Sequence, residues 1–414
     1  MNLTPLFTRT RDTARLALCT SLLVAAAAAQ ADAVTDWNLQ ACQWVAAAGL
    51  VTQPASRVMA ISHTAAFEAA NAITRRYPGL QAAGLSAPPG ASVDAAIAAA
   101  HHATLGQLLP TQQPAITLAY RKALAAIADG QAKDEGVAVG ERAAQQLLAR
   151  RADDGANAVE TYRPLTTPGR WVATTIPSTP QWPQRTPWLM SSAAQFRPGP
   201  PPALDSERWA RDYNEIKALG ARQSKLRTPE QTDIARFWTT TLPAIYHGVV
   251  RGVAEQPGRD TVRNARLYAA VTQAIDDGMI AVFDAKYHHG FWRPITAIRN
   301  GDTDGNAHTE RDPSWLPLID TPMHPEYPCA HCIQAAAVGA VLQAEIGSGP
   351  VPMLSTTSVS ANGALRQWPG VHAFVREVGH ARIYGGAHFR FSTEVGLDMG
   401  QRIGALAVQR LLAE

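Results

Sequence analysis

Lys286, Arg293, His331, Arg382 and His388 are the residues of this chain whose types and spacing could do chemistry. They fall in three clusters: Lys286 to Pro294 (KYHHGFWRP), His324 to Cys332 (HPEYPCAHC) and Arg382 to Arg390 (RIYGGAHFR). Lys286 and Arg293 are seven apart, a spacing that on an α-helix of about 3.6 residues per turn returns both side chains to nearly the same face. Three cations and two imidazoles suit a tetrahedral oxyanion, phosphate or its analogue vanadate. Arginine forks two oxygens at once, lysine supplies a point charge, and imidazole can attack, ligate or shuttle protons. Pro328 followed by a strongly helical run from Ile333 to Leu342 sets Cys329, Ala330 and His331 at a helix N-terminus, where free N–H groups and the dipole favour an anion. The Ala330 amide is placed to donate to an oxyanion oxygen, and His331 to act as general acid or base.

Cys329 and Cys332 form a CxxC with several readings. A c-type haem would need histidine at 333, where Ile333 stands. A zinc site would recruit His324 or His331, but there is no second cysteine pair. A thioredoxin-like role lacks a βαβ pattern around it. In an oxidising compartment a local disulfide is the plainest outcome.

The elements that must position these groups are helical. From Asp36 to about Asn157 the sequence is alanine-rich, and segments such as Arg57 to Ile73 and Val93 to Leu109 carry apolar residues at three- and four-residue intervals. His63, His101 and His102 lie on such segments and are read as core histidines. Helices resume at Ser206 to Leu219, Pro229 to Ala254 and Asn264 to Phe283, then around Lys286, and a last one is expected from His388 to Leu412. No alternating pattern is long enough to build a sheet. The fold class is therefore all-α, a helical bundle with one long Pro-rich belt loop. Four regions are expected: 1–31, an N-terminal helical region 32–160, the belt 161–204, and a C-terminal helical region 205–414 that carries the oxyanion site. Trp171, Trp182 and Trp188 argue that the belt is ordered, because such rings are normally buried against something. The acidic loop Asp302 to Asn306 resembles the start of a calcium loop, but Pro313 stands where the bidentate glutamate belongs, so it reads as a turn.

Residues 1–31 have the form of a secretory signal peptide. Arg9, Arg11 and Arg15 precede the apolar run Leu16 to Ala29, and Ala29-Gln30-Ala31 has the A-x-A form of a cleavage site. The expected location is periplasmic or extracellular. No later stretch is apolar enough to span a bilayer, so stable membrane insertion is not expected. The formal charge of +3 falls to +1 without residues 1–31, which argues against nucleic acid as partner.

The three clusters resemble the signature of the vanadium-dependent haloperoxidases and type-2 phosphatidic acid phosphatases. That signature is a lysine, six residues, Arg-Pro, then Pro-Ser-Gly-His, then an arginine, five residues and a histidine. Here it reads Lys286 with Arg293-Pro294, Pro328-Cys329-Ala330-His331, and Arg382 with His388, within a span of roughly Asp276 to Met399. The resemblance implies a haloperoxidase-like branch with vanadate as cofactor and His388 as its axial ligand. His331, His388 and His324 would be the catalytic imidazoles, and Lys286, Arg293, Cys329, Ala330 and Arg382 the oxyanion cradle. His324 stands where bromoperoxidases of the family carry histidine, and Trp292 and Phe389-Arg390-Phe391 are similar to the haloperoxidase branch rather than the phosphatases. Substrates would be halide and hydrogen peroxide.

The family's phosphatases use the same residues without metal, on a phosphate ester through a phosphohistidine. A non-catalytic oxyanion-binding relative is the third reading, because Cys329-Ala330 replaces Ser-Gly. Ser392 also replaces the aspartate that orients the second histidine, and on this reading Ser392→Asp would strengthen His388 as a nucleophile unless Glu394 or a backbone carbonyl takes that place. Oligomeric state is not legible in the residues. Thiol titration of the denatured chain, lacking residues 1–31, is expected to find one reactive sulfhydryl, that of Cys42; three would exclude a Cys329–Cys332 disulfide.

Overall fold

The structure, a computed structural model, describes residues 32–78 and 84–413; the expected leader, 1–31, lies outside them. The first helices are α1 (Ala33–Ala47), α2 (Thr52–Thr74), α3 (Val93–Leu108), α4 (Gln113–Ala125) and α5 (Gln131–Arg150). After the belt come α6 (Glu207–Leu219), α7 (Pro229–Phe237), α8 (Pro243–Ala254), α9 (Thr261–His289) and α10 (Pro294–Arg299). The chain closes with α11 (Ala330–Ile346), a hairpin of β1 (Leu354–Ser358) and β2 (Ala364–Trp368), then α12 (Val371–Tyr384) and α13 (Arg390–Ala407).

The axis of the bundle is α9. Asp260 starts it, its carboxylate accepting from the N–H groups of Val262 at 3.1 Å and Arg263 at 3.0 Å. Gly290 ends it at φ 57°, in the left-handed conformation that glycine adopts without steric cost. Every residue from Asn264 to Lys286 is buried, which requires neighbours on all sides. Those neighbours include α2, α11 and α13, so helices from 32–160 and from 205–414 share one core running from Val34 to Leu411.

Several expected boundaries move. Lys286 and Arg293 do not share a helix: Gly290 terminates α9, and Arg293, held extended by the proline that follows it, is the N-cap of α10. The segment 229–254 is two helices, because Pro243 lacks the N–H that would continue α7 and instead begins α8. The pieces expected at Asn264 and Lys286 are one helix. The last helix starts at Arg390, leaving His388 in the loop before it. The hairpin pairs Leu354 with Trp368 and Ser358 with Ala364, turning through Asn362 and Gly363, both at positive φ. Its strands, LSTTS and ALRQW, lack the apolar alternation that would mark them.

The belt is stapled to α9 by buried charge. Asp277 accepts from the backbone N–H groups of Trp188, Leu189 and Met190 at 2.7, 2.8 and 3.0 Å. Asp276 accepts from Trp188 Nε1 at 2.8 Å and from Arg185 at 2.7 Å, and Arg185 also binds Asp154. Trp171, Trp182 and Trp188 are all buried. Further on, Trp171 donates to the Gly290 carbonyl, Trp292 to that of Gly169, and Ser178 to that of Met323. The belt therefore braces the loops that carry Arg293 and His324.

Helices α11 and α13 approach closely because Gly396, Gly400 and Gly404 form a stripe at four-residue spacing. A Cβ at these positions would come within 2.7 Å of Cys329 O, 2.3 Å of Ile333 O and 2.6 Å of Ala337 O, respectively. Overpacking a core typically costs about 1–3 kcal/mol. Gly400→Ala is expected to lower the unfolding free energy by about that amount, read as a lower urea midpoint; an unchanged midpoint would show that the contact yields freely.

Candidate active site

Lys286 leaves the last turn of α9 and is buried, with Nζ donating to the carbonyls of Pro325 at 2.9 Å and Glu326 at 2.8 Å. Arg293 spreads its guanidinium over two loops. It donates from Nε to the His324 carbonyl at 2.9 Å, from one terminal nitrogen to the Ala387 carbonyl at 3.0 Å and His388 Nε2 at 3.3 Å, and from the other to His324 Nδ1 at 2.9 Å. Arg382, in the last turn of α12, donates to the Trp238 carbonyl at 2.5 Å, and its Nε has no partner although it is buried. Gly385 and Gly386 then turn the chain so that His388 returns toward Arg382. A Cβ at Gly386, which has φ 75°, would also strike Gly220 O at 2.6 Å.

Burial pushes Lys286 well below the usual lysine range, with Arg293 and Arg382 adding to the push and Glu326 opposing it. Burial likewise brings Arg293 down to about 10, opposed by Glu326, and Arg382 down to about 9, helped by Arg293. Three cations thus lie together out of water beside one carboxylate, a combination that favours a bound anion.

The imidazoles lie at the same place. His324, His331 and His388 line a cavity of about 150 Å³ together with Ala330, Met279, Pro322, Thr52, Gln53, Thr239 and Thr241. Each ring is held well below the usual histidine pKa, first by burial and then by neighbouring cations, so each is neutral with no anion bound. His324 Nδ1 lies between Arg293, at 2.9 Å, and the Pro325 carbonyl, at 3.2 Å, which together fix the orientation of its ring. His331 stands at the second position of α11 with Nε2 unpartnered, while the backbone of Thr239 favours its protonated form. The N–H groups of Ala330 and His331 open α11, where a helix leaves its first donors without an internal acceptor.

Cys329 caps α11 and is joined to Cys332 in a disulfide, so no thiol faces the site; Cys42 is free and buried. The Cys329 sulfur accepts from the Cys332 N–H at 3.2 Å. It has no hydrogen to donate to an oxyanion, which leaves that task to the backbone.

Glu326 had no place in the sequence-level site, yet it lies at the centre of this one. Its Oε1 accepts from His388 Nδ1 at 2.8 Å and from the Phe389 N–H at 3.1 Å. The expectation that Ser392 leaves His388 without an orienting carboxylate is therefore corrected. Ser392 Oγ is 3.4 Å from Nδ1, whereas Glu326 has reached it from another loop, so Ser392→Asp alone would set a second carboxylate beside one already in place. Glu394 takes no part, being paired with Arg208 at the surface. Spacing could have hinted at Glu326, an acid between two cluster histidines, but not at its partner sixty-two residues away.

Other residues of interest fall elsewhere. His63 and His101 are buried in the shared core, each with one ring nitrogen bonded, to Asn38 and Ser62, and one without a partner. His102 stacks on Tyr120. Asp304 accepts from Thr309 Oγ1 within its turn and from Trp209 Nε1 of α6. The belt does not line the cavity; the wall facing the imidazoles comes from the start of α2 and from the break between α7 and α8.

Phosphate at about 100 times its Kd is expected to raise the unfolding free energy by about 2.7 kcal/mol, the linkage for one site. Arg382→Met should abolish that shift in melting temperature while leaving the anion-free chain at least as stable, because it removes a poorly compensated buried charge. A phosphate-dependent shift that survives the substitution would place the anion elsewhere.

Residues 266–413 match the model of the VCPO second helical-bundle domain. The vanadium chloroperoxidase of Curvularia inaequalis is 32% identical over a stretch covering 30% of this chain and 24% of that protein, so the match spans about a quarter of its length. Among solved structures, a bacterial vanadium-dependent iodoperoxidase superposes with a TM-score of 0.77 at 24% identity, covering 92% of this chain and 97% of that one. A bacterial vanadium-dependent chloroperoxidase in its holo form gives 0.70 at 18% identity, over 86% and 91% of the two chains. Among the described residues no helix is long and apolar enough to cross a membrane. Residues 266–413 thus match a domain of the vanadium chloroperoxidase type, and the described residues share the fold of the bacterial vanadium haloperoxidases.

Proposed function

We propose that the protein is an exported vanadium-dependent haloperoxidase that oxidises halide with hydrogen peroxide. The observation that carries this reading is the burial of Lys286, Arg293 and Arg382 within electrostatic reach of one another and of Glu326, with Arg293 bonded to His388 and His324, which line one cavity with His331 at the start of α11. The residues fit vanadate. The three cations and the Ala330 and His331 N–H groups would hold its oxygens, and His388 Nε2, whose lone pair already accepts from Arg293, would be the nitrogen ligand. Vanadate bound there supplies a Lewis acid that activates peroxide. His331 is neutral, with an unpartnered Nε2 beside the cavity, and serves to accept and return a proton. His324, fixed by Arg293 and the Pro325 carbonyl, presents its ring to the same cavity. The disulfide at Cys329 suits an oxidising compartment, as do the signal-like first thirty-one residues.

A phosphatase on the same residues is the second reading, and Glu326 favours it. A carboxylate on Nδ1 leaves Nε2 of His388 as the nucleophilic nitrogen that a phosphohistidine requires. The readings separate when the protein is assayed before and after vanadate reconstitution. Bromide or iodide oxidation that appears only with vanadate supports the peroxidase, whereas p-nitrophenyl phosphate hydrolysis inhibited by vanadate supports the phosphatase. His388→Ala is expected to abolish vanadate binding, and His331→Ala to retain binding but lose about 10²- to 10⁴-fold in turnover, the scale of general acid–base catalysis. Equal loss of affinity in both variants would contradict this division of roles.

A further inference from the structure

We infer that Glu326 is the positioning residue for His388, supplied from the loop before α11 in place of a carboxylate one turn into α13. Two bonds on one ring carry this. Arg293 has no lone pair to offer, so His388 Nε2 must be the acceptor of the 3.3 Å contact between them. A neutral imidazole has one N–H, and it must then lie on Nδ1, where the Glu326 carboxylate receives it at 2.8 Å. The Phe389 N–H, bonded to the same oxygen, fixes the carboxylate against the loop that carries the ring. Glu326 is in turn anchored through its own carbonyl by Lys286, so one residue links the lysine of the oxyanion cradle to the imidazole. Its second oxygen is buried without a partner, an arrangement kept although burial disfavours the anion. A carboxylate on the far nitrogen fixes the tautomer and raises the basicity of the near one, which is what a ligand or nucleophile needs.

The inference rests on reading the pocket as an oxyanion site, and its test separates the two. In ¹⁵N-histidine-labelled protein at neutral pH without anion, the His388 signals, identified by their loss in His388→Asn, should show a protonated Nδ1 and a bare Nε2. In Glu326→Gln, whose amide can donate to Nδ1, the proton should move in part or wholly to Nε2. Adding Ser392→Asp to that variant should restore the original tautomer, because position 392 already lies 3.4 Å from Nδ1. Vanadate affinity, measured by calorimetry, should fall about tenfold or more in Glu326→Gln, the scale of an outer partner of a metal ligand, and recover in the double variant. An Nε2–H ring in the unmutated protein, or a tautomer indifferent to Glu326→Gln, would overturn the assignment. Should that variant fail to fold, the tautomers of the unmutated chain and of Glu326→Asp still decide it, since an Nε2–H ring in both defeats the assignment. Failure of both vanadate and phosphate to bind the unmutated protein would instead defeat the oxyanion reading and leave the tautomer result standing.

Discussion

Lys286, Arg293 and Arg382 are buried together, and the rest of the site answers the cost of holding three cations out of water. Each is bonded to backbone carbonyls: of Pro325 and Glu326, of His324 and Ala387, and of Trp238. Four of those five carbonyls belong to the loops that bear His324, Glu326 and His388, so stabilising the charges and placing these imidazoles are one task. Carbonyl dipoles compensate charge only in part, and a single carboxylate beside three cations leaves the pocket electropositive. The remainder is an attraction for an anion, strengthened by the start of α11.

Such a cluster needs a rigid surround, because a charge that could reach water would do so. The long buried helix α9 supplies it on one side and the α11–α13 contact on another. The belt is held to α9 through Asp276 and Asp277, and its backbone bonds to Gly290, Trp292 and Met323 stop the Arg293 and His324 loops from opening. A segment without regular structure thus does the work of a wall. Its tryptophans are the apolar part of that attachment, and its order follows from buried charge as much as from ring burial.

Part of the cavity wall comes from residues that carry no cluster motif. Thr52 and Gln53 start α2, and Thr239 and Thr241 lie in the interval that Pro243 opens between α7 and α8. These neutral polar residues line the cavity together with His331, and Gln53 Oε1 is buried without a partner. They come from outside 266–413, so residues before that stretch line the cavity as well as filling the core.

How far residues can be read depends on whether their partners are near in sequence. Helical periodicity, the glycine and proline breaks and the charge types in the three clusters are local properties, so the all-α class, the order of the helices and the identity of the cations and imidazoles were legible from the chain alone. The disulfide was legible too, because Cys329 and Cys332 are three apart at a helix start. Spacing misled at Lys286 and Arg293, where periodicity suggested one helix but Gly290 and Pro294 divide it, and the two meet through different loops. It was silent on the LSTTS and ALRQW strands, whose pairing comes from backbone bonds rather than side-chain pattern. It pointed to a missing carboxylate at Ser392, yet the carboxylate was present at Glu326. Only tertiary structure could decide that, because a hydrogen bond requires two atoms within about 3 Å, and residues sixty-two positions apart are brought to that distance by the packing of α9, α11 and α13, not by anything in their own neighbourhoods.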